Sequence, residues 1–341
     1  MSRLKVAAVL GTLASIFIAC ATFSDASSVP AAPFDGGDGD GANGTDGGAD
    51  VTDAAPGIIG IVHENAKTVS VAVDPQHIFW WSEEHSAVEK VDKDSPGTVV
   101  TVATRTGQSV TKLAADATAV YWLEAGPDEN DAGAFSNRIM RFGTNDTKPV
   151  ALRTTGKALS LLAVDATRIA ATLPGGVIGL SKAGVPFDYG FSLDQTSLAA
   201  DGMSVYYTYF GIFRLRQDGT TANVIDLDRP RELTTDGTTI YGFIPSDGGS
   251  ALFKVDDSLS SQPPSAAMHI TQVGGAPLFL AVDNLGLVWA NASDGTIKRV
   301  SRSGGAQVDV ASGIQAPNAI AADARGVYWT TDTGDVGWAR R

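Results

Sequence analysis

The sequence predicts an all-β fold, a seven-bladed β-propeller with four-stranded blades, on three observations. One motif recurs seven times after residue 57. Its copies are spaced at about the length of one blade. Between them, short apolar stretches rich in β-branched and aromatic residues alternate with polar ones and are broken by Gly and Asp, the signature of strands and tight turns.

The motif is an aliphatic residue, a small one, any residue, Asp, three variable residues, an aliphatic and usually one or two aromatics. It appears as Val71-Ala72-Val73-Asp74 with Ile78-Phe79-Trp80, and as Leu113-Ala114-Ala115-Asp116 with Val120-Tyr121-Trp122. Leu162 to Asp165 with Ile169-Ala170 and Leu198 to Asp201 with Val205-Tyr206-Tyr207 follow. Leu233 to Asp236 with Ile240-Tyr241, Leu280 to Asp283 with Leu287-Val288-Trp289, and Ile320 to Asp323 with Val327-Tyr328-Trp329 complete the set. Successive aspartates are 42, 49, 36, 35, 47 and 40 residues apart.

After each motif a polar or Gly-rich turn leads to a third strand, as in Arg138–Phe142, Ile212–Leu215 and Thr296–Val300. A fourth strand follows, as in Val99–Ala103 and Gln307–Ala311. The seventh copy runs out at Arg341 before its fourth strand. Gly57–Val62 stands where other copies carry that strand, so it is expected to complete the last blade and close the ring without an exposed sheet edge. Residues 57–341 are therefore read as one propeller domain.

Within the motif, the large residue three places before each Asp is expected to pack between blades. The small residue two places before is expected to face the crowded centre. The Asp ends the innermost strand and can accept hydrogen bonds from backbone N–H groups of the next turn. This is a structural role, as is core packing for the aromatics.

Two other segments precede the repeats. Residues 1–20 read as an export signal: Arg3 and Lys5, then the uncharged, mostly apolar Val6–Ile18, which is too short to span a bilayer as a helix. Residues 21–56 carry seven Asp and no Lys or Arg, a self-repelling, disordered Asp/Gly-rich tether. Its Gly and Asp do not recur with a nine-residue period or match a full calcium-loop pattern.

Phe17-Ile18-Ala19-Cys20 resembles the lipobox of bacterial lipoproteins. The resemblance implies cleavage before Cys20 and acylation of its thiol, anchoring the chain to a membrane of the cell envelope. A simple secretory signal holding an incidental cysteine is the alternative. The repeats resemble those of the YWTD and NHL class of propellers, most clearly at Val327-Tyr328-Trp329-Thr330-Thr331-Asp332. Val288–Val300 is similar to repeats of virginiamycin B lyase, another seven-bladed propeller. Signal, tether and propeller together resemble lipoproteins of myxobacteria. The lyase resemblance implies His and Glu around a metal at the channel mouth, and no residues here map onto that set one by one.

Of the 341 residues, 25 are Lys or Arg and 38 are Asp or Glu, for a formal charge of -13. That balance argues against a nucleic-acid partner, since phosphates are neutralised by Lys and Arg. The tether holds -7 and the first twenty residues +2, leaving -8 for the repeats, so the acidity says little about a ligand. The single Cys rules out an intramolecular disulfide framework and a Cys-rich zinc site. His63, His77, His85 and His269 occupy different repeat positions and read as solvated or incidental. His63-Glu64 lacks the second His of a zinc-protease motif, and Ser109–Lys112 lies on an expected strand where a Ser-x-x-Lys pair needs a helix. The acidic loop Glu124–Gly133 reads as solvated. No cofactor or metal is expected.

A small ligand would be sought at the propeller mouth, where the innermost strands begin. Positions five and four before each Asp are expected to rim it: Val69 and Ser70, Thr111 and Lys112, Ser160 and Leu161, Thr196 and Ser197, Arg231 and Glu232, Leu278 and Phe279, Asn318 and Ala319. Their chemistry varies from blade to blade, as a site grafted on a symmetric scaffold would. Lys112, Arg231, Glu232 and Asn318 are the expected polar contacts and Phe279 the apolar one. The expectation is a non-enzymatic, lipid-anchored envelope module binding a protein, peptide or glycan through one face. The alternative is a lyase or hydrolase with a metal-assisted site at the same mouth.

Overall fold

The computed structural model describes residues 59–340 except 64–66, 129–133, 191–196, 202–203, 217, 248 and 258–265. Cys20, the tether, Thr196 and much of the acidic loop lie outside the described residues. Seven four-stranded antiparallel sheets follow one another along the chain. Their inner strands are Thr68–Val73, Ser109–Ala115, Leu162–Val164, Leu198–Ala200, Arg231–Thr235, Pro277–Val282 and Pro317–Asp323. In six blades the four strands run from inner to outer in chain order.

The seventh blade takes its outer strand from the other end of the propeller. Ile59–His63 pairs antiparallel with Asp335–Arg340, in the register Ile59↔Ala339 to His63↔Asp335. Closing the ring this way satisfies the edge of the last sheet with backbone bonds between the two ends of the repeat array.

Seven apolar clusters hold the blades together, and each draws its residues from two adjacent blades. Ala72 and Trp81 of the first blade pack with Leu113 and Trp122 of the second. Tyr241 and Phe243 of the fifth pack with Leu280 and Trp289 of the sixth. Val71 and Trp80 of the first meet Ala321 and Trp338 of the seventh, closing the circle. Trp80, Trp122, Trp289 and Trp329 are all fully buried, each stabilising the fold by about 2–3 kcal/mol through area removed from water.

One expectation needs correction here. The small residue two places before each Asp packs in a seam between blades rather than facing the crowded centre. Ala72, Ala114, Ala199 and Ala281 lie in clusters with Leu113, Leu162, Leu233 and Ile320, the large motif residues of the next blade. Successive side chains of a strand point to opposite faces, so adjacent motif positions serve opposite seams, and a small residue on one blade leaves room for the large one on its neighbour.

The repeated aspartates cap the turn after the inner strand. Asp116 Oδ1 accepts from the N–H groups of Thr118 and Ala119 at 2.7 and 3.0 Å. Asp165 does the same for Thr167 and Arg168 at 2.7 Å each, and Asp283 for Leu285 and Gly286 at 2.7 and 2.9 Å. Their second oxygens often reach a tyrosine five residues on, as in Tyr206 to Asp201 at 2.7 Å and Tyr241 to Asp236 at 2.9 Å.

Three seams gain a cation from the turn between the third and outer strands of the following blade. Lys93 meets Asp323, Lys182 meets Asp116 at 2.5 Å, and Arg302 meets Asp236 at 2.9 Å. Between the fourth and fifth blades this place is held by Asp257, whose carboxylate, like that of Asp201, lies within hydrogen-bond reach of the Tyr206 hydroxyl, which has one proton for the two.

Candidate functional site at the channel mouth

Strand direction gives the propeller two unlike faces. The capped aspartates and the third-to-outer turns share one of them, the anchor face. The inner strands begin at the other, the mouth, together with the turns between second and third strands and the connections from blade to blade.

Five inner strands are irregular where they enter the sheet. The pairing register shifts between Val69 and Val71, Val110 and Lys112, Arg231 and Thr234, Leu278 and Ala281, and Pro317 and Ala319. An extra residue of this kind re-aims side chains and is common beside binding sites. In the third and fourth blades the inner strand is short, and the Thr172 and Thr208 hydroxyls accept from the Leu161 and Ser197 N–H groups at 3.0 Å each.

This irregularity changes the role expected of the rim. Lys112, Glu232 and Phe279, four places before their Asp, are buried, and so are Ser70, Leu161, Ser197 and Ala319 at the same position. They belong to the wall rather than to a solvated edge. This position turns toward the next blade with or without a bulge: Ser70 Oγ accepts from Leu113 N–H at 2.9 Å in a bulged strand, and Ser197 Oγ accepts from Leu233 N–H at 2.6 Å ahead of a short one. Phe279 joins the cluster of the sixth and seventh blades. Asn318 is also spent on structure. Its Nδ2 donates to the Thr68 carbonyl at 2.6 Å and to Asp332 at 2.9 Å, and its Oδ1 accepts from Thr330 at 2.6 Å. Arg231 is half-buried and donates through Nη2 to Ser250 Oγ at 2.7 Å.

Glu232 is the chemically unusual member. It is 0% exposed, and neither carboxylate oxygen has a hydrogen-bond partner. Burial pushes its carboxyl up to about 8, opposed by the nearby Phe279 N–H and the charges of Arg231 and Lys112. The same loss of water holds the Lys112 ammonium well below the usual lysine range, against the attraction of Glu232. The channel wall thus carries two buried groups whose charged forms are both disfavoured.

Backbone strain concentrates at this end. Among the described residues, the non-glycine positions with left-handed φ are Ser70, Ser86, Arg229, Glu232, Phe279 and Ala316. Three are equivalent bulge positions, and the others lie in a mouth turn or in mouth connections. Each such residue costs about 1–2 kcal/mol and persists because its surroundings hold it.

Two mouth features carry no repeat signal that would have singled them out in the sequence. In the first blade, His85 Nδ1 lies 2.8 Å from Glu89 Oε1, with Glu89 2% exposed. Ser82 Oγ approaches the same ring nitrogen at 3.4 Å, so the three do not form a nucleophile relay, which uses both ring nitrogens. Beside the fourth blade, Tyr209, Phe210, Asp226, Leu227, Asp228 and Arg229 line a cavity of about 510 Å³. Phe210 is 75% exposed. His77 sits on the anchor face, 3.0 Å from Asp74 Oδ2. No group of three or more metal-ligating side chains occurs among the described residues.

Comparison with solved structures finds the same architecture. Virginiamycin B lyase from Staphylococcus aureus aligns over 83% of this chain and 99% of its own, with 12% identity and a TM-score of 0.58. PorZ, a bacterial surface component of the type-IX secretion system of Porphyromonas gingivalis, aligns over 82% of this chain and 38% of its own, at 15% identity and a TM-score of 0.59. BamB from Moraxella catarrhalis covers 84% and 94% of the two chains, at 12% identity and a TM-score of 0.50. The chain is a seven-bladed β-propeller. Identities this low establish the fold alone. No protein-family model and no curated protein matches the sequence.

Proposed function

We propose that the chain is a cell-envelope binding module of YWTD/NHL-like repeats, anchored through acylated Cys20, whose propeller mouth binds a protein, peptide or glycan. The observation that carries this reading is the left-handed backbone at Ser70, Ser86, Arg229, Glu232, Phe279 and Ala316, all at the mouth. Strain of this kind clusters at ligand clamps and active sites because a scaffold that only had to be stable would shed it. A photo-reactive residue placed at Phe210, Glu83 or Asp247 of the full chain in its host tests the face, with Val185 on the anchor face as the control. Adducts from the mouth positions and none from Val185 support the reading. Equal adducts from both faces, or none from the mouth, refute it. Acyl labelling and membrane fractionation of Cys20→Ser test the anchor, and an unlabelled wild-type chain would overturn it.

A second reading is a lyase or hydrolase with a metal-assisted site at the same mouth, and the His85–Glu89 pair favours it. A buried carboxylate holding one imidazole nitrogen orients the ring and raises its basicity, as suits a general base or metal ligand. A solved lyase relative is described in complex with quinupristin, which makes that compound a reasonable probe. Divalent-cation-dependent conversion of quinupristin, followed by mass spectrometry and lost in His85→Ala, would support this reading. No conversion, or conversion unchanged in His85→Ala, removes it.

A further inference from the structure

The cavity beside the fourth blade is lined by two rings, Tyr209 and Phe210, which continue a row of rings that starts in the seam between the third and fourth blades. Tyr207 stacks on Phe213 with ring centroids 5.6 Å apart at 19°, Phe213 meets Tyr209 at 6.4 Å, and Tyr209 meets Phe210 at 4.2 Å. Tyr207 is buried and Phe210 is largely exposed, so the row opens onto solvent at the mouth. Opposite the rings, the connection Asp226–Arg229 supplies carboxylates on a short segment that leads directly into Arg231 and Glu232. Asp228 is 91% exposed, and its approach to Arg229 Nε at 3.8 Å is too long and too wet to neutralise it. Asp247 in the next blade's mouth turn is also exposed, so three carboxylates outnumber Arg229 and the half-buried Arg231 around the cavity and the local field is negative.

We infer that this cavity docks an extended peptide segment of another protein that carries Lys or Arg beside an apolar side chain. The cation would lie over the outer faces of Tyr209 and Phe210, where a ring quadrupole attracts it, and meet Asp226 and Asp228. The apolar side chain would fill the space against Leu227. Charge complementarity favours this occupant. An acidic segment would meet Asp226, Asp228 and Asp247, and the chain's own Asp-rich tether is excluded by the same repulsion. The inference rests on the mouth as the binding face and specifies what that face recognises.

A random-peptide phage library selected against the full-length chain tests it. Enrichment of sequences pairing Lys or Arg with an apolar residue is expected. Synthetic peptides from that pool should bind Phe210→Ala and Asp228→Lys at least about 10-fold more weakly than wild type, and more weakly as salt rises. Both substituted residues are highly exposed, so the variants should fold, which a circular-dichroism melt verifies. Enrichment of acidic or neutral peptides, binding of a glycan array instead, unchanged affinity in Phe210→Ala, or no enrichment would each overturn the inference. Mouth adducts persisting from Glu83 or Asp247 in the face to solvent would then show that the mouth still binds and only the partner chemistry is wrong.

Discussion

Asp257→Lys should stabilise the propeller, because it supplies a contact that three other seams already have. Lys93, Lys182 and Arg302 each reach the capped Asp of the preceding blade from the equivalent turn. At this seam Asp257 and Asp201 instead share the Tyr206 hydroxyl, with Arg214 Nη1 donating to the Asp257 carbonyl at 2.5 Å. Burial, the largest cause, and the Asp201 charge raise the Asp257 carboxyl, against the hydrogen bond from Tyr206. A folded-state pKa above the unfolded value means that ionising Asp257 works against the fold. Its favourable contribution is complete below the unfolded pKa of about 4 and is lost as pH rises through the folded value. A lysine there removes the repulsion and gains a charge-assisted hydrogen bond to Asp201, worth about 1.5–3 kcal/mol when well ordered. Because Asp257 is only half-buried, we expect about 1–2 kcal/mol near pH 7, or about 2–4 °C in Tm for a domain of this size. Calorimetric melts of wild type, Asp257→Lys and Asp257→Asn between pH 4 and pH 8 measure it. Both variants should gain at pH 7, Lys more than Asn, and both gains should shrink toward pH 4. A gain independent of pH, or a loss in both variants, would refute the reasoning.

Three further outcomes follow from named contacts. Glu124→Ala removes the acceptor of Arg105 at 2.5 Å and of Trp122 Nε1 at 2.9 Å, and leaves Arg138 buried beside an empty place, so denaturant melts should show a loss of about 3–5 kcal/mol. Glu232→Gln should flatten the pH dependence of stability: wild type should weaken as pH rises from about 4.5 to about 8, because the unfolded Glu ionises while the buried one resists, and the variant should lose that slope. Asp165→Ala uncaps a turn and strands the buried Arg168, costing about 2–4 kcal/mol in melts while leaving mouth adducts unchanged, which separates the structural ring of aspartates from the binding face.

The architecture was legible because each blade solves the same packing problem with the same residues. Val71, Leu113, Leu162 and their counterparts recur because every seam needs one large aliphatic opposite one small residue. Asp116 and Asp283 recur because every inner strand ends in a turn whose N–H groups need an acceptor. The strand before Thr68 was expected from a missing piece at the other end of the repeats, and Ile59–His63 occupies that place. The site was less legible. Lys112, Glu232 and Phe279 were singled out by their variation from blade to blade, yet their burial depends on bulges that no spacing in the sequence reveals. Tyr209 and Phe210 fall in an ordinary turn, and His85 read as a solvated or incidental histidine, with nothing in the sequence to tie it to Glu89.

Sequence alone determined the number of blades, the order of strands and the structural role of the aspartates, since each depends on patterns repeated along the chain and on local hydrogen bonding. The tertiary structure decided which side chains face solvent at the mouth, which carboxylate loses its water, and which aromatic rings stand beside Asp226 and Asp228. Those are properties of seams between blades, where residues from different repeats meet. They depend on how a bulge rotates one side chain relative to its neighbour, a rotation that leaves the spacing of the repeats unchanged.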